Sequence, residues 1–313
     1  MKIIGIGNAI VDVLCKVPEQ FLIDNSLTKG TMKLINEAEF KKLLSSLKIE
    51  ETISGGSVAN SIVGLAQLGN KVGFVGKINN DDLGLKYEYG LKKENVNYLY
   101  IKKNETIPTG SCLILITPDS ERTMCTFLGT AGKINESDIP ENQIKNADIV
   151  FLEGYLWDQG EPKKAFLKSI LNSKKSAMSL SDLFCVERHK KSFLDLVKNK
   201  LDIIFANEQE VFSLINKNKI KDVINFGKKL GKELVITRGA EGSLTISGNE
   251  VIEFPAKKGL SLIDLTGAGD LFAAGYLHGI INNCSKKKCL EIGTNLSSKI
   301  IEKLGARLNK DEL

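Results

Sequence analysis

Six short runs rich in apolar and β-branched residues punctuate this chain: KIIGIG from residue 2, KVGFVG from 71, ADIVFLEG from 147, SAMSLSD from 176, LDIIFAN from 201 and ELVITRG from 233. Segments with helical spacing of apolar residues lie between them, at 58–68, 163–172, 190–199, 208–216 and 222–230. Strand and helix in such alternation leave few solutions. Parallel strands need long crossovers, and a helix in each crossover covers a face of the sheet. The rhythm predicts an α/β fold with a central, mostly parallel sheet and helices on both faces. Two regions break it. Residues 11–36 and 96–128 read as consecutive strands joined by turns (NSLTKGTMKLI; YLYIKKNETIPTGSCLILITPDSERTMCTF). They predict a small β-sheet lid beside the body, and lids close over sites.

Composition narrows the function. With 42% apolar and 26% charged residues in 313, the chain suits a soluble globule with a sizeable core. The net charge of +5 comes almost wholly from lysine, in scattered pairs such as Lys41–Lys42, Lys92–Lys93 and Lys228–Lys229. Those read as solvated helix faces, whereas a nucleic-acid surface clusters arginine with aromatics on one element. No nucleic-acid partner is expected. Arginine occurs only at 122, 188, 238 and 307, so each one near a motif deserves weight. Six cysteines show no CxxC pair and no zinc spacing, which reads as free thiols in a reducing compartment, and two histidines are few for a metal site.

Lys310-Asp311-Glu312-Leu313 spells an ER-retention tetrapeptide, read only in the secretory lumen. The start, MKIIGIGNAIVDVLCKV, has Asn8 and Asp12 inside its apolar run and no small-residue cleavage site, so it reads as a buried first strand. The tetrapeptide is then coincidence and the expected location cytoplasmic. No stretch approaches the ~20 apolar residues of a membrane span.

Two nucleotide fingerprints fail. GIGNAI follows a strand, but Ile10 stands where Gly or Ala belongs and VDVLCKV continues as strand, not helix. No Gly-Lys pair carries a P-loop. A different pattern remains. In DLTGAGDLFAAGYLHG (264–279), Gly267, Ala268 and Gly269 precede Asp270 at the start of a helical run. Glycines let a ligand approach the backbone, and a helix N-terminus favours negative charge. A carboxylate in the first turn can orient a hydroxyl and accept its proton in phosphoryl transfer. A glycine turn with a helix-favouring acid is the plainer alternative for that stretch alone. GGSVANSIVGLAQLG (55–69) is a second glycine-led helix start, FANEQE (205–210) passes from strand to helix, and TRGAEGS (237–243) turns after another strand.

In this order the motifs resemble the PfkB (ribokinase-like) family of carbohydrate and nucleoside kinases, over nearly the whole chain: GGS with Asn60, Asn207-x-x-Glu210, the Thr237-Arg-Gly turn, then DLTGAGD. Leu265 departs from the family's usual Thr. The resemblance implies a single ribokinase-like kinase domain over 1–313, with ATP as co-substrate, Mg²⁺ and possible K⁺ near Asp264. It implies that Asp270 is the catalytic base and that Gly267, Ala268 and Gly269 form the anion hole. Asn207 and Glu210 would hold phosphate and Mg²⁺-bound water, although their spacing equally makes a capping box. Thr237, Gly239, Gly242 and Thr266 would lie along ATP, and Asn295 is either near adenine or a surface amide. GNAIVD and LEGYLWD look most like the bacterial adenosine kinase branch. On that reading Asn8, Asp12, Gly55, Gly56, Ser57 and Asn60 meet the acceptor, with Asp12 on a ribose cis-diol. Arg122 is either a phosphate ligand from the lid or a surface arginine. Tyr155, Trp157 and Phe184 are candidates for the base slot, or core. Adenosine is the expected acceptor, with ribose or another sugar as alternative. A catalytically silent nucleotide sensor is the alternative of another class, and an intact Asp270 with Gly-Ala-Gly argues against it.

Overall fold

The computed structural model describes residues 1–119, 121–158 and 160–312. Fourteen strands run through them. The first seven are β1 (Ile3–Ile6), β2 (Val11–Lys16), β3 (Met32–Leu34), β4 (Glu51–Ser54), β5 (Val72–Val75), β6 (Asn97–Tyr98) and β7 (Ser111–Ile116). The rest are β8 (Arg122–Phe127), β9 (Ile149–Glu153), β10 (Ser176–Ser179), β11 (Ile203–Asn207), β12 (Glu233–Thr237), β13 (Ser243–Ser247) and β14 (Glu250–Phe254). All six apolar runs of the sequence are strands of one nine-stranded sheet, ordered β14-β13-β12-β11-β10-β9-β1-β5-β6. Strands from β6 through β12 are parallel, and β13 and β14 close the far edge antiparallel.

Both faces of this sheet are buried, so its strands read as continuous apolar runs. Ile3, Phe151, Ile203 and Phe205 point to one core, with Ile62 of helix Ser57–Gln67 and Phe272 and Tyr276 of helix Ala268–Ile281. Ile4, Val150, Leu152 and Ile204 point to the other, with Phe166, Phe193, Val211 and Val223 from four helices on that side. The fold is ribokinase-like α/β. β1 and β9 are neighbours, and the chain passes from β1 to β5 on one side and from β9 to β10 on the other, so the connections diverge between them. Open α/β sheets bind ligands at such a switch point, beyond the carboxyl ends of the strands.

The second sheet has five strands, ordered β3-β8-β7-β2-β4. Its extent differs from the sequence expectation. Residues 11–36 include a helix, Glu19–Asp24; Asn97–Tyr98 pair with β5 in the large sheet; and Glu51–Ser54, with only four residues to carry a pattern, join the small one. Val11, Val13, Leu113, Leu115 and Phe127 pack one face of this sheet into the main core. The other face carries Asp12–Cys112–Thr126–Leu34 in one row, and Ile114–Met124–Met32 in the next. Ser120, within the expected lid, and Leu313, which completes the tetrapeptide, lie outside the described residues. Glu312 is bound to the body, where Lys299 Nζ donates to its carbonyl at 2.9 Å and Lys303 pairs with its carboxylate. Among the described residues no helix is long and apolar enough to cross a membrane.

Candidate active site

One cavity of about 580 Å³ opens at the carboxyl ends of β1, β9, β10, β11 and β12. Asn8, Glu153, Ser179, Asn207 and Thr237, at those ends, line it; the second row of the small sheet and Asp12 form the facing wall. The start of helix Ala268–Ile281 enters between them with Thr266 to Asp270.

Asp270 is held from three positions of one helix face. Ser57 Oγ donates to its Oδ1 at 2.6 Å, Asn60 Nδ2 to its Oδ2 at 3.0 Å, and Ser61 Oγ to its main-chain oxygen at 2.9 Å. Residues i, i+3 and i+4 share a helix face, so this convergence is built into the GGSVANS stretch. Burial pushes the Asp270 carboxyl up to about 6, opposed by the Ser57 and Asn60 hydrogen bonds and the Arg307 charge. It is therefore ionised at neutral pH yet more basic than an ordinary aspartate.

The two glycine-led helices differ at their N-termini. That of Ser57–Gln67 is occupied by the protein itself: Glu153 Oε2 accepts from Val58 N at 2.9 Å and Oε1 from Asn8 N at 2.8 Å. Gly56 has φ 98°, and a Cβ there would sit 2.3 Å from the Asn8 carbonyl, so only glycine fits. The N-terminus of Ala268–Ile281 has no side-chain cap. Gly267 adopts φ 79° with Ala306 Cα 2.7 Å from where its Cβ would be. Gly269 has nothing within 4 Å of that point and lines the cavity. First-turn N–H groups at an uncapped, unobstructed helix start bind an external anion.

Asp12 faces the cavity from β2, next to Gly55, whose absent Cβ would clash with Asp12 Oδ2 at 2.3 Å. Burial pushes the Asp12 carboxyl up to about 7, against the Arg307 and Arg122 charges. On the opposite side Asn207 and Glu210 close a reciprocal pair. Asn207 N donates to Glu210 Oε2 at 3.0 Å, Asn207 Nδ2 to Oε1 at 2.6 Å, and Glu210 N to Asn207 Oδ1 at 2.9 Å. The capping box is real, and the same two residues line the cavity. Five lining carboxylates, Asp12, Glu153, Asp182, Glu210 and Asp270, face a single basic lining side chain among the described residues, Arg188. Its guanidinium lies 4.1 Å over the Phe184 ring.

The family described as pfkB family carbohydrate kinase matches residues 35–313. The chain belongs to the pfkB family of carbohydrate kinases. Adenosine kinase 2 of Arabidopsis thaliana is 27% identical over 97% of this chain and 94% of its own. A 5-dehydro-2-deoxygluconokinase of Clostridium botulinum is also 27% identical, over 85% and 83%. Among solved structures, the adenosine kinase from Sinorhizobium meliloti superposes with a TM-score of 0.89 at 32% identity, covering 98% of this chain and 95% of that one. A probable sugar kinase protein from Rhizobium etli does so with 0.88 at 33%, covering 98% and 94%. The protein is a kinase, and ATP is its co-substrate.

For a pfkB kinase the sequence-derived site residues fall in two groups. Asn8, Asp12, Gly56, Ser57, Asn60, Tyr155, Phe184, Asn207, Glu210, Thr237, Thr266 and Gly267 to Asp270 meet at the cavity, with Gly55 behind Asp12. Five others do not line it. Trp157 packs edge-on against Phe166 at 5.1 Å in the core, turned away by the short helical turn after β9 that leaves Tyr155 facing the site. Asn295 is exposed on helix Lys286–Ile300, outside the cavity lining. Gly239 and Gly242 sit in the turn beyond Thr237; a Cβ at Gly242 would meet the Phe254 carbonyl at 2.1 Å, which explains that glycine by hairpin packing. Arg122 Nη1 pairs with Asp264 Oδ2 at 3.1 Å, tying β8 to the loop before helix Ala268–Ile281. Asp264 also accepts from Gly305 N and from Thr266 N and Oγ1, so its carboxylate is fully engaged.

Magnesium fits the Asn207–Glu210 side in a limited sense. Hard oxygen donors suit it, but both Glu210 oxygens already accept from Asn207, which favours holding metal-bound water over direct ligation. Sequence reasoning passed over Glu153, Arg188 and Arg307. Two of them carried a signal, being among only four arginines.

Proposed function

We propose that the protein transfers the γ-phosphoryl group of ATP to the 5′-hydroxyl of adenosine, giving AMP and ADP. One observation carries this reading: the cavity has a hydrogen-bonded Asp270 beside an uncapped helix start, and opposite them an apolar wall bearing one carboxylate, Asp12. Ile114, Met124, Met32 and Leu34 offer a purine a flat apolar face. A ribose offers Asp12 two hydroxyl donors. A free monosaccharide has no apolar ring to lay on that wall.

In the reaction the 5′-oxygen attacks the γ-phosphorus as the bond to the β,γ-bridging oxygen breaks, and Asp270 accepts the hydroxyl proton. The N–H groups of Gly267, Ala268 and Gly269 stabilise charge on the transferring group, and Arg188 supplies the positive charge the lining otherwise lacks. Asn207 and Glu210 would hold Mg²⁺ through bound water, and the ion would supply positive charge to the phosphates. Such an enzyme returns free adenosine to the nucleotide pool, and its free cysteines suit the cytoplasm.

A sugar acceptor is the second reading, favoured by the Clostridium relative and the Rhizobium etli structure. ADP release measured with adenosine, inosine, guanosine, ribose and fructose 6-phosphate separates the two. Adenosine should give the highest kcat/KM; a faster rate with ribose would overturn the nucleoside assignment.

A further inference from the structure

Arg307 comes from the far end of the chain, 247 residues from the side chain it touches. The segment around it is pinned on both sides: Gly305 N donates to Asp264 Oδ2 at 2.8 Å, and Gln67 Nε2 donates to the Leu308 carbonyl at 2.8 Å. Between these anchors Arg307 Nε donates to Asn60 Oδ1 at 3.0 Å. The same amide's Nδ2 donates to Asp270 Oδ2 at 3.0 Å. Arg307 Nη2 is enclosed without a partner. An unsatisfied buried N–H is destabilising, so packing alone gives no account of an arginine at this position.

The logic of donors and acceptors does. A primary amide has an oxygen that only accepts and a nitrogen that only donates, and rotation by half a turn exchanges them. Arginine only donates. Whichever amide atom faces Arg307 must therefore be Oδ1, which obliges Nδ2 to face Asp270. A carboxylate that receives an N–H is stabilised in its ionised form; one that faces a carbonyl oxygen gains a hydrogen bond only by holding a proton.

We propose that Arg307 is a positioning residue for the phosphoryl-transfer base: by fixing the orientation of the Asn60 amide it keeps Asp270 in the form that accepts the substrate proton. The inference rests on Asp270 being that base. Arg307 does not line the cavity and acts through Asn60. The other titratable groups that act on or respond to Asp270 are Asp12 on β2, Glu153 at the end of β9 and Tyr155 just beyond it. None is a cation. Removing Arg307 thus takes away both a positive charge that acts on the base and the constraint on the amide, and both changes favour a protonated Asp270.

The test is the pH dependence of kcat/KM, with adenosine or, if the panel selects it, ribose as acceptor. Asp270→Asn is the control on the underlying reading and should remove turnover at every pH. Arg307→Met should displace the acid limb to higher pH, so that activity at about pH 6 falls about five-fold for the first unit of displacement and recovers towards the parent value at about pH 9. Arg307→Lys, again a pure donor, should restore the parent limb, and Arg307→Gln, which can present either atom to the amide, should not. Asn60→Leu combined with Arg307→Gln should lose clearly less than the two single losses multiplied together, because the part of the Arg307 effect that passes through the amide is already gone. If Arg307→Met does not fold, Arg307→Gln against Arg307→Lys carries the comparison. A loss uniform across pH, or additive effects of Asn60→Leu and Arg307→Gln, overturns the positioning role. Full activity of Asp270→Asn instead overturns the base assignment.

Discussion

Gly269 has an ordinary backbone conformation and open space where a side chain would go. Nothing in the protein needs a glycine there, and glycine inside a helix is less stable than alanine by up to ~1 kcal/mol. The missing Cβ is therefore explained by what approaches from the cavity. Gly269→Ala should keep or slightly raise the melting temperature while raising KM for ATP and lowering kcat by at least about ten-fold, because a methyl group then stands over the anion-binding N–H groups. Gly267→Ala, with positive φ and Ala306 in van der Waals overlap, should lower the melting temperature instead. Steady-state kinetics beside thermal melts checks the pair, and a Gly269→Ala enzyme with parental kinetics would remove the phosphate cradle. At this scale the sequence is most legible where function sits inside one short motif. Asp270, Gly267 and Gly269 can be read from DLTGAGD because the turn and the helix start are local. Arg307 cannot, because its role depends on Asn60 and no local pattern links the two.

Asp12 belongs to the scale of elements, since its environment is made by strand pairing. β1 enters the large sheet, and four residues later β2 enters the small one, so Asp12 stands at the joint between them. Alternation sends Val11 and Val13 into the core and Asp12 to the cavity wall, in register with Cys112 on β7 and Ile53 on β4. A carboxylate in an apolar wall rejects a ligand lacking its donors more strongly than an apolar slot rejects bulk. With adenosine as acceptor, 2′- and 3′-deoxyadenosine should each lose roughly ten- to a hundred-fold in kcat/KM, the equivalent of about 1.5–3 kcal/mol for a hydrogen bond to a charged group. Asp12→Ala should abolish most of that discrimination. An unchanged adenosine-to-deoxyadenosine ratio in Asp12→Ala, with only a lower melting temperature, would make Asp12 a structural residue. The elements were legible in proportion to their length. The six apolar runs and the helices between them carry clear periods, whereas Glu51–Ser54 and Asn97–Tyr98 are too short to show which sheet will claim them.

At the scale of the whole molecule, the site concentrates negative charge that the fold does not neutralise. Burial raises Asp12, Glu153 and Glu210 to about 7 and Asp270 to about 6. In the unfolded chain these groups titrate near 4. Between those values the folded state binds more protons than the unfolded one, so stability must fall as pH rises through this range. A surface carboxylate held low by lysine, such as Asp119 at about 2, titrates below the window and does not contribute to it. His278, lowered by burial, opposes the trend as one group against four. The ligand-free protein should therefore melt at a higher temperature at about pH 5.5 than at about pH 7.5, the reverse of ordinary acid denaturation. For a chain of this size each kcal/mol corresponds to roughly 2 °C. Glu153→Gln should flatten the slope, since it removes one titrating carboxyl and keeps its shape beside the Ser57–Gln67 helix start. A melting temperature that is level or rises from pH 5.5 to 7.5 would mean that water or bound cations already compensate the cluster in the free enzyme. If the predicted slope is found, the same charge gives the apo cavity a standing electrostatic demand for cations, and a nucleotide bound with Mg²⁺ should stabilise the fold more at pH 7.5 than at pH 5.5.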